Sequence, residues 1–126
     1  MLTHEMIALP EKLTPKEEAA MKAIWLAGEG NIQSFLDVMP PPSPPYTTLA
    51  STVKNLEKKQ FVRGKLIGKV YLYSAIVSEE TYKGECIRAL VQAFFSRSYA
   101  DMLRFLLQKK EISEGDLKEV VATSSL

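Results

Sequence analysis

The 126-residue chain has only one cysteine and one histidine, Cys86 and His4. A single cysteine excludes a disulfide bond within one chain. Two such residues are too few for a zinc site of the usual cysteine and histidine ligands, so we expect no metal. No cysteine–histidine pair or histidine triad can form around His4, and glycine-rich phosphate loops are absent from the sequence. We therefore expect neither an enzyme nor a cofactor.

Long apolar runs are also missing. No segment approaches the ~20 apolar residues that span a bilayer. The first ten residues contain Glu5 and lack the hydrophobic stretch of a signal peptide. We therefore expect a cytoplasmic protein with no membrane contact. With 46% apolar and 25% charged residues the chain is globular, and its length suits one domain with a small appendage.

The net charge is only +1, but the charged residues are unevenly distributed along the chain. Residues 46–75 carry six cations against one acid, whereas residues 1–45 carry three against six and residues 76–126 seven against eight. Such a concentration is typical of a nucleic-acid-binding face on an otherwise neutral body. The alternative is a solvated charged surface, although such surfaces more often interleave both signs.

The basic segment begins with a predicted helix. Leu49, Val53 and Leu56 follow helical spacing and predict one apolar stripe that faces a core. The opposite face would carry small hydroxyls, an amide and cations, which are the groups that reach base edges and phosphates. These residues are Thr47, Ala50, Ser51, Lys54, Asn55 and Lys58.

Two short β-prone runs follow this helix and flank Gly68, which can supply a positive φ at a hairpin tip. Arg63, Lys65 and Lys69 stand on this hairpin, where they would lie near backbone phosphates. A polar-faced helix joined to a basic hairpin predicts a winged helix-turn-helix that binds DNA.

Two shorter helices are predicted ahead of this unit. Thr14 to Glu17 form a capping box with proline at the first helical position, and the helix should end at Gly28 or Gly30. Asn31 is expected to cap a second helix. The prolines between residues 40 and 45 predict a rigid turn, with a ligand for a proline-reading domain as the alternative.

After Ser78 the pattern predicts three apolar helices, from about residue 79, from 99 to 109 and from 113. So much apolar surface favours a symmetric dimer, and the alternative is that these helices fold back on the winged domain. We predict a DNA-binding domain at 1–77 and a helical dimerisation region at 78–126. Cys86 is expected to be a buried thiol rather than a redox sensor. The predicted dimer contacts are Tyr82, Leu90, Val91, Phe94, Phe95, Met102, Leu103 and Leu106.

Several motifs together resemble the penicillinase and methicillin-resistance repressors, the BlaI/MecI family, with the copper repressor CopY as a relative. They include L-T-P-K-E-E, Y-T-T-L, L-x-x-K-x-x-V, Y-x-Y-S and V-S-x-E-x-Y, and the resemblance continues to I-S-E-G-D-L-K-E. It implies a dimeric repressor with an N-terminal winged helix and a C-terminal helical dimerisation region. It also implies that this helix contacts DNA through Tyr46, Thr47, Thr48, Ser51, Lys54 and Asn55, and the hairpin through Arg63, Lys65 and Lys69.

The chain departs from this family at several positions. The proline-rich turn precedes Tyr46, Gln60 replaces a frequent glycine, and the paired cysteines of the copper branch are absent. The antibiotic-responsive branch is induced by a sensor-protease that cleaves an Asn–Phe bond, and this chain has no Asn-Phe dipeptide.

The sequence therefore favours a repressor whose dimer occupies a palindromic DNA operator, and the resemblance adds a sensor-protease as a further partner. Two alternatives remain. One is a small-molecule-responsive regulator, with a cleft lined by Tyr82, Phe94, Phe95 and Phe105. The other is a winged-helix module that binds an acidic protein without specific DNA binding.

Overall fold

The computed structural model describes residues 12–124. Within this range the chain is mainly helical with one two-stranded antiparallel hairpin, which confirms the predicted winged-helix fold class. The elements in order are α1 (Pro15–Ala27), α2 (Ile32–Val38), α3 (Tyr46–Lys58), β1 (Val62–Ile67), β2 (Val70–Ala75), α4 (Glu79–Phe94), α5 (Tyr99–Gln108) and α6 (Glu114–Thr123).

The predicted capping box at the start of α1 is confirmed. The Glu17 N–H donates to Thr14 Oγ1 at 3.2 Å, and the Thr14 N–H donates to Glu17 Oε1 at 2.9 Å. The helix ends at Gly28, whose φ of 81° lies in the region that glycine tolerates best. Asn31 caps α2, since its Oδ1 accepts from the Ser34 N–H at 2.8 Å.

One core joins the first three helices to the hairpin. The predicted stripe of α3, Leu49, Val53 and Leu56, is at most 2% exposed. Burying side chains of this size contributes roughly 1.5–3 kcal/mol each. The stripe therefore fixes which side of α3 faces outward. The remaining core residues are Leu13, Ala20, Met21, Ala23, Ile24, Ile32, Phe35, Phe61, Val62 and Tyr73.

The turn from α3 into β1 is a Schellman motif, a common way of ending a helix. The Gln60 N–H donates to the Glu57 carbonyl at 3.0 Å, and the Phe61 N–H donates to the Leu56 carbonyl at 2.9 Å. Gln60 has a φ of 67°. Glycine is usual at this position of the motif, which gives a physical reason for the glycine that Gln60 replaces.

The hairpin is fixed to the helices through Tyr73. Its N–H donates to the Gly30 carbonyl at 2.7 Å, and its carbonyl accepts from the Gly30 N–H at 3.1 Å. Tyr73 pairs across the strands with Gly64, where an added Cβ would lie only 2.8 Å from the Tyr73 ring. Gly64 therefore leaves room for the ring. At the tip, Gly68 has the positive φ expected of it, 62°.

The chain separates into two compact units, the first ending at Glu85 and the second beginning at Cys86. In the first unit, the Tyr82 ring lies 5.8 Å from Trp25 and 5.9 Å from Phe61, and its hydroxyl donates to Glu18. This packing extends the first unit into α4. The predicted division after residue 77 stays a prediction.

The second unit contains the rest of α4 with α5 and α6. Phe95 and Phe105 pack edge to face at 5.6 Å. The prediction of a buried thiol at Cys86 is wrong for the single chain, because the residue is exposed. Its row on α4 is open, since Leu90 is 46% and Phe94 76% exposed.

A partly buried ion pair links the start of α1 to the end of α3. Lys59 Nζ lies 2.7 Å from Glu17 Oε1, and only 6% of the Glu17 side chain is exposed. Burial raises the pKa of Glu17, but the hydrogen bond and charge of Lys59, with the Thr14 hydrogen bonds, outweigh it. The pKa of Glu17 is therefore held below its ordinary value.

We expect Glu17→Gln to lower the free energy of unfolding at pH 7 by roughly 1–3 kcal/mol, because the charged partner of Lys59 is lost. A lowered carboxyl pKa stabilises the fold above the unfolded value of about 4.3 and loses this effect as the pH falls. The deficit of the variant should therefore shrink between about pH 5 and pH 3. Urea unfolding across this range measures it.

Glu29→Gln is the matched control, since Glu29 is exposed on the same unit. Its unfolding free energy should follow that of the wild type at every pH. Parallel curves for Glu17→Gln and the wild type would contradict the stabilising role of the ion pair.

Candidate nucleic-acid interface

The outward side of α3 carries the polar residues expected there. Thr47, Ser51, Lys54, Asn55 and Lys58 are all exposed. They lie opposite the buried apolar stripe, so one partner lying along the helix could contact all of them. Their hydroxyl, amide and ammonium groups can donate to phosphates, and the amide can also pair with a base edge.

The start of α3 has two features of its own. Its N-cap residue is Pro45, which makes no side-chain capping hydrogen bond. The first backbone N–H groups of a helix without such a cap suit an external acceptor such as a phosphate oxygen. Tyr46 is 51% exposed at this end, whereas Thr48 is only partly exposed.

The two faces of the hairpin differ in chemistry. Because side chains alternate along a strand, Arg63, Lys65 and Ile67 share one face. Leu66 and Tyr71, which are paired across the strands, share the other face with Tyr73. Both cations are exposed, as is Lys69 in the turn. The hairpin thus has a basic face and an aromatic face.

The aromatic face is the one that meets α3. Lys54 Nζ lies 5.7 Å from the centroid of the Tyr71 ring, within the range of a cation–π contact. Tyr71 in turn stacks on Tyr73, with centroids 6.1 Å apart and planes 22° apart. Tyr71 is not among the DNA contacts predicted from the sequence. The period-two spacing of Y-x-Y could have placed both rings on one face.

The Tyr73 hydroxyl stays protonated in this setting. Burial raises the pKa of Tyr73, and repulsion from the nearby carboxylate of Glu57 raises it further. Tyr73 therefore remains a neutral anchor at physiological pH.

The predicted dimer residues lie in different surroundings. Leu90, Phe94 and Leu103 are exposed by 46%, 76% and 39%. Phe95, Met102 and Leu106 are partly exposed, and Val91 is buried in the single chain. Tyr82 packs within the first unit. The open part of the predicted set is thus on α4 and α5.

A groove of about 640 Å³ lies in the first unit, beside α1 and the start of α3. The proline-rich turn forms one wall, and Leu26, Val38 and Met39 line the apolar interior. Lys16 and Lys22 stand among its lining residues. The rings proposed for a ligand cleft are elsewhere, with Tyr82 among Trp25 and Phe61 and with Phe95 beside Phe105.

Among residues 12–124 no group of three or more histidine, cysteine or acidic side chains is placed to hold a metal ion. His4 lies outside the described residues. None of the helices in the described part of the chain is long and apolar enough to cross a membrane.

Comparison with known proteins agrees with this geometry. The family model described as penicillinase repressor matches residues 13–123, which is most of the chain, and so confirms the resemblance found in the motifs. A search of curated proteins finds no match. The chain belongs to the penicillinase repressor family, a family of DNA-binding transcriptional repressors.

Proposed function

We propose that this protein represses transcription as a homodimer that occupies a palindromic operator. Each protomer lays α3 in the major groove and places its hairpin against a flanking phosphate backbone, the arrangement common to winged helix-turn-helix proteins. The observation that carries the proposal is the exposed polar face of α3. The opposite side of this helix is buried in the core, and the hairpin that follows it carries exposed cations.

The residues divide into two roles under this proposal. Asn55 and the hydroxyls of Thr47 and Ser51 read base edges, because their short polar side chains can pair with groove atoms. Arg63, Lys65, Lys69 and Lys58 bind phosphates, which adds affinity without sequence preference. Nothing in this scheme requires catalysis.

The operator can be found by selecting binders from a random duplex pool and measured by fluorescence anisotropy at two salt concentrations. Asn55→Ala should weaken the selected duplex by ~1–3 kcal/mol and relax sequence preference at one position, because a base contact is lost. Lys65→Ala should weaken binding to all duplexes alike, because one phosphate contact is lost. The salt slope, which is the steepness of the fall in log affinity with log salt concentration, should decrease by about one unit.

Lys118→Ala is the control for charge, since Lys118 is an exposed cation of the second unit. It should leave affinity and salt slope unchanged. Equal losses on selected and shuffled duplexes for Asn55→Ala would contradict the assigned division, and absence of any preference in the wild type would contradict the repressor itself.

Dimerisation is proposed through the apolar surface of α4 and α5. Leu90, Phe94 and Leu103 leave large apolar areas open in one chain, and a two-fold interface would bury them on both protomers. A two-fold dimer also matches a palindromic operator, since each half-site receives one α3.

Phe94→Glu should shift the protein towards monomers in sedimentation velocity experiments, because a carboxylate would be buried at the interface. Its operator affinity should fall with the loss of the second half-site. Leu26→Glu is the matched control, because Leu26 is 73% exposed, similar to the 76% of Phe94, but lies in the first unit. A monomeric Leu26→Glu or a fully dimeric Phe94→Glu would contradict the assignment.

A second candidate function is response to a small molecule, favoured by the groove beside α3. Its volume and apolar lining suit a ligand with an apolar body, and Lys16 and Lys22 suit an anionic group. Decanoate should produce saturable amide shifts at Leu26 and Val38 in NMR spectra and weaken operator binding. Decyltrimethylammonium, with the same tail and opposite charge, is the control. Equal shifts with both, or none, would count against the site.

A further inference from the structure

We propose that Tyr71 is a positioning residue of the DNA interface, which holds the Lys54 ammonium group ready for a phosphate. The inference rests on the proposed function, since it concerns how the same surface binds DNA. Neither the sequence pattern nor the family resemblance gave Tyr71 a role in DNA binding. Through Tyr71 the hairpin would support a lysine of α3, in addition to supplying its own cations.

The contact joins the two elements that would touch DNA. Lys54 stands on the exposed face of α3, and Tyr71 stands on β2 with 48% of its surface exposed. The 5.7 Å from Lys54 Nζ to the ring centroid allows attraction between the ammonium charge and the ring face. The ring occupies one side of the Lys54 ammonium group, so the N–H donors of that group can still reach a phosphate oxygen.

Tyr71 can restrict Lys54 because a neighbouring ring restricts the Tyr71 ring itself. It stacks on Tyr73, which is only 5% exposed and exchanges two backbone hydrogen bonds with Gly30. Gly64 leaves the space that the Tyr73 ring fills. The core thus fixes the Tyr73 ring, which restricts the Tyr71 ring, and Tyr71 in turn restricts the side chain of Lys54 on α3.

The physical gain lies in conformational entropy. A free lysine side chain has many rotamers and loses this freedom when a phosphate fixes it. A ring that already restricts Lys54 reduces the loss on binding. Tyr71 then strengthens DNA affinity without a phosphate contact of its own, so its removal should leave the number of released counterions unchanged.

A double-mutant cycle on the selected duplex tests this coupling. Tyr71→Leu should weaken binding roughly two- to fivefold, as expected for the loss of one exposed cation–π contact. Tyr71→Phe keeps the ring and should stay within about twofold of the wild type. In a Lys54→Gln background, Tyr71→Leu should have no further effect, because the supported charge is gone.

The salt slope separates support from direct contact. Lys54→Gln should lower it by about one unit, whereas Tyr71→Leu should leave it unchanged. Lys58→Gln supplies the matched control, since Lys58 is an exposed cation one turn along α3. Its effect should add to that of Tyr71→Leu without coupling. Thermal unfolding of each variant shows whether the hairpin is intact.

A readout without DNA checks the contact itself. In NMR spectra of the free protein, the terminal methylene protons of Lys54 should show a ring-current shift that Tyr71→Leu removes and Tyr71→Phe keeps. Absence of that shift in the wild type would overturn the proposal.

Additive losses for Tyr71→Leu and Lys54→Gln would also overturn it, as would tighter binding by Tyr71→Leu, which would mean that the ring withholds Lys54 from DNA. These outcomes differ from a failure of the proposed function. A wild type that prefers no duplex would end the repressor proposal, while the cycle on non-specific duplex would still measure the coupling.

Discussion

The burial of the apolar stripe on α3 is the constraint on which the rest of the surface depends. Leu49, Val53 and Leu56 are held against α1, α2 and Phe61, so α3 cannot rotate about its axis without exposing them. The polar residues on the other side therefore face outward as a fixed set. The ion pair between Glu17 and Lys59 adds a second restraint at the far end of the same helix.

Tyr73 is the corresponding fixed point of the hairpin. Its backbone pairs with Gly30 ahead of α2, and its ring lies across Gly64. The strand that carries Tyr73 also carries Tyr71, so the aromatic face of the hairpin lies beside Lys54. Helix and wing are thus positioned by the same core, which suits a surface that meets both a groove and its phosphates.

Local signals in the sequence were enough to predict the elements. Thr14, Asn31 and Gly68 act through short-range hydrogen bonds or backbone preference, and the structure confirms all three. Contacts between distant segments could not be read in this way. The Gly30–Tyr73 pairing and the Lys54–Tyr71 contact depend on how helices pack, and the exposure of Cys86 depends on what covers α4. The DNA contacts themselves remain predictions.

The most direct test of the account is amide hydrogen exchange of the protein with and without its selected duplex, at a salt concentration that suppresses non-specific binding. If α3 and the hairpin form the DNA interface, protection should increase along Tyr46–Lys58 and at the tip of the hairpin around Gly68, with little change along Pro15–Ala27. Protection confined to the second unit, or spread evenly over both units, would contradict the claim that α3 and the hairpin form the DNA interface.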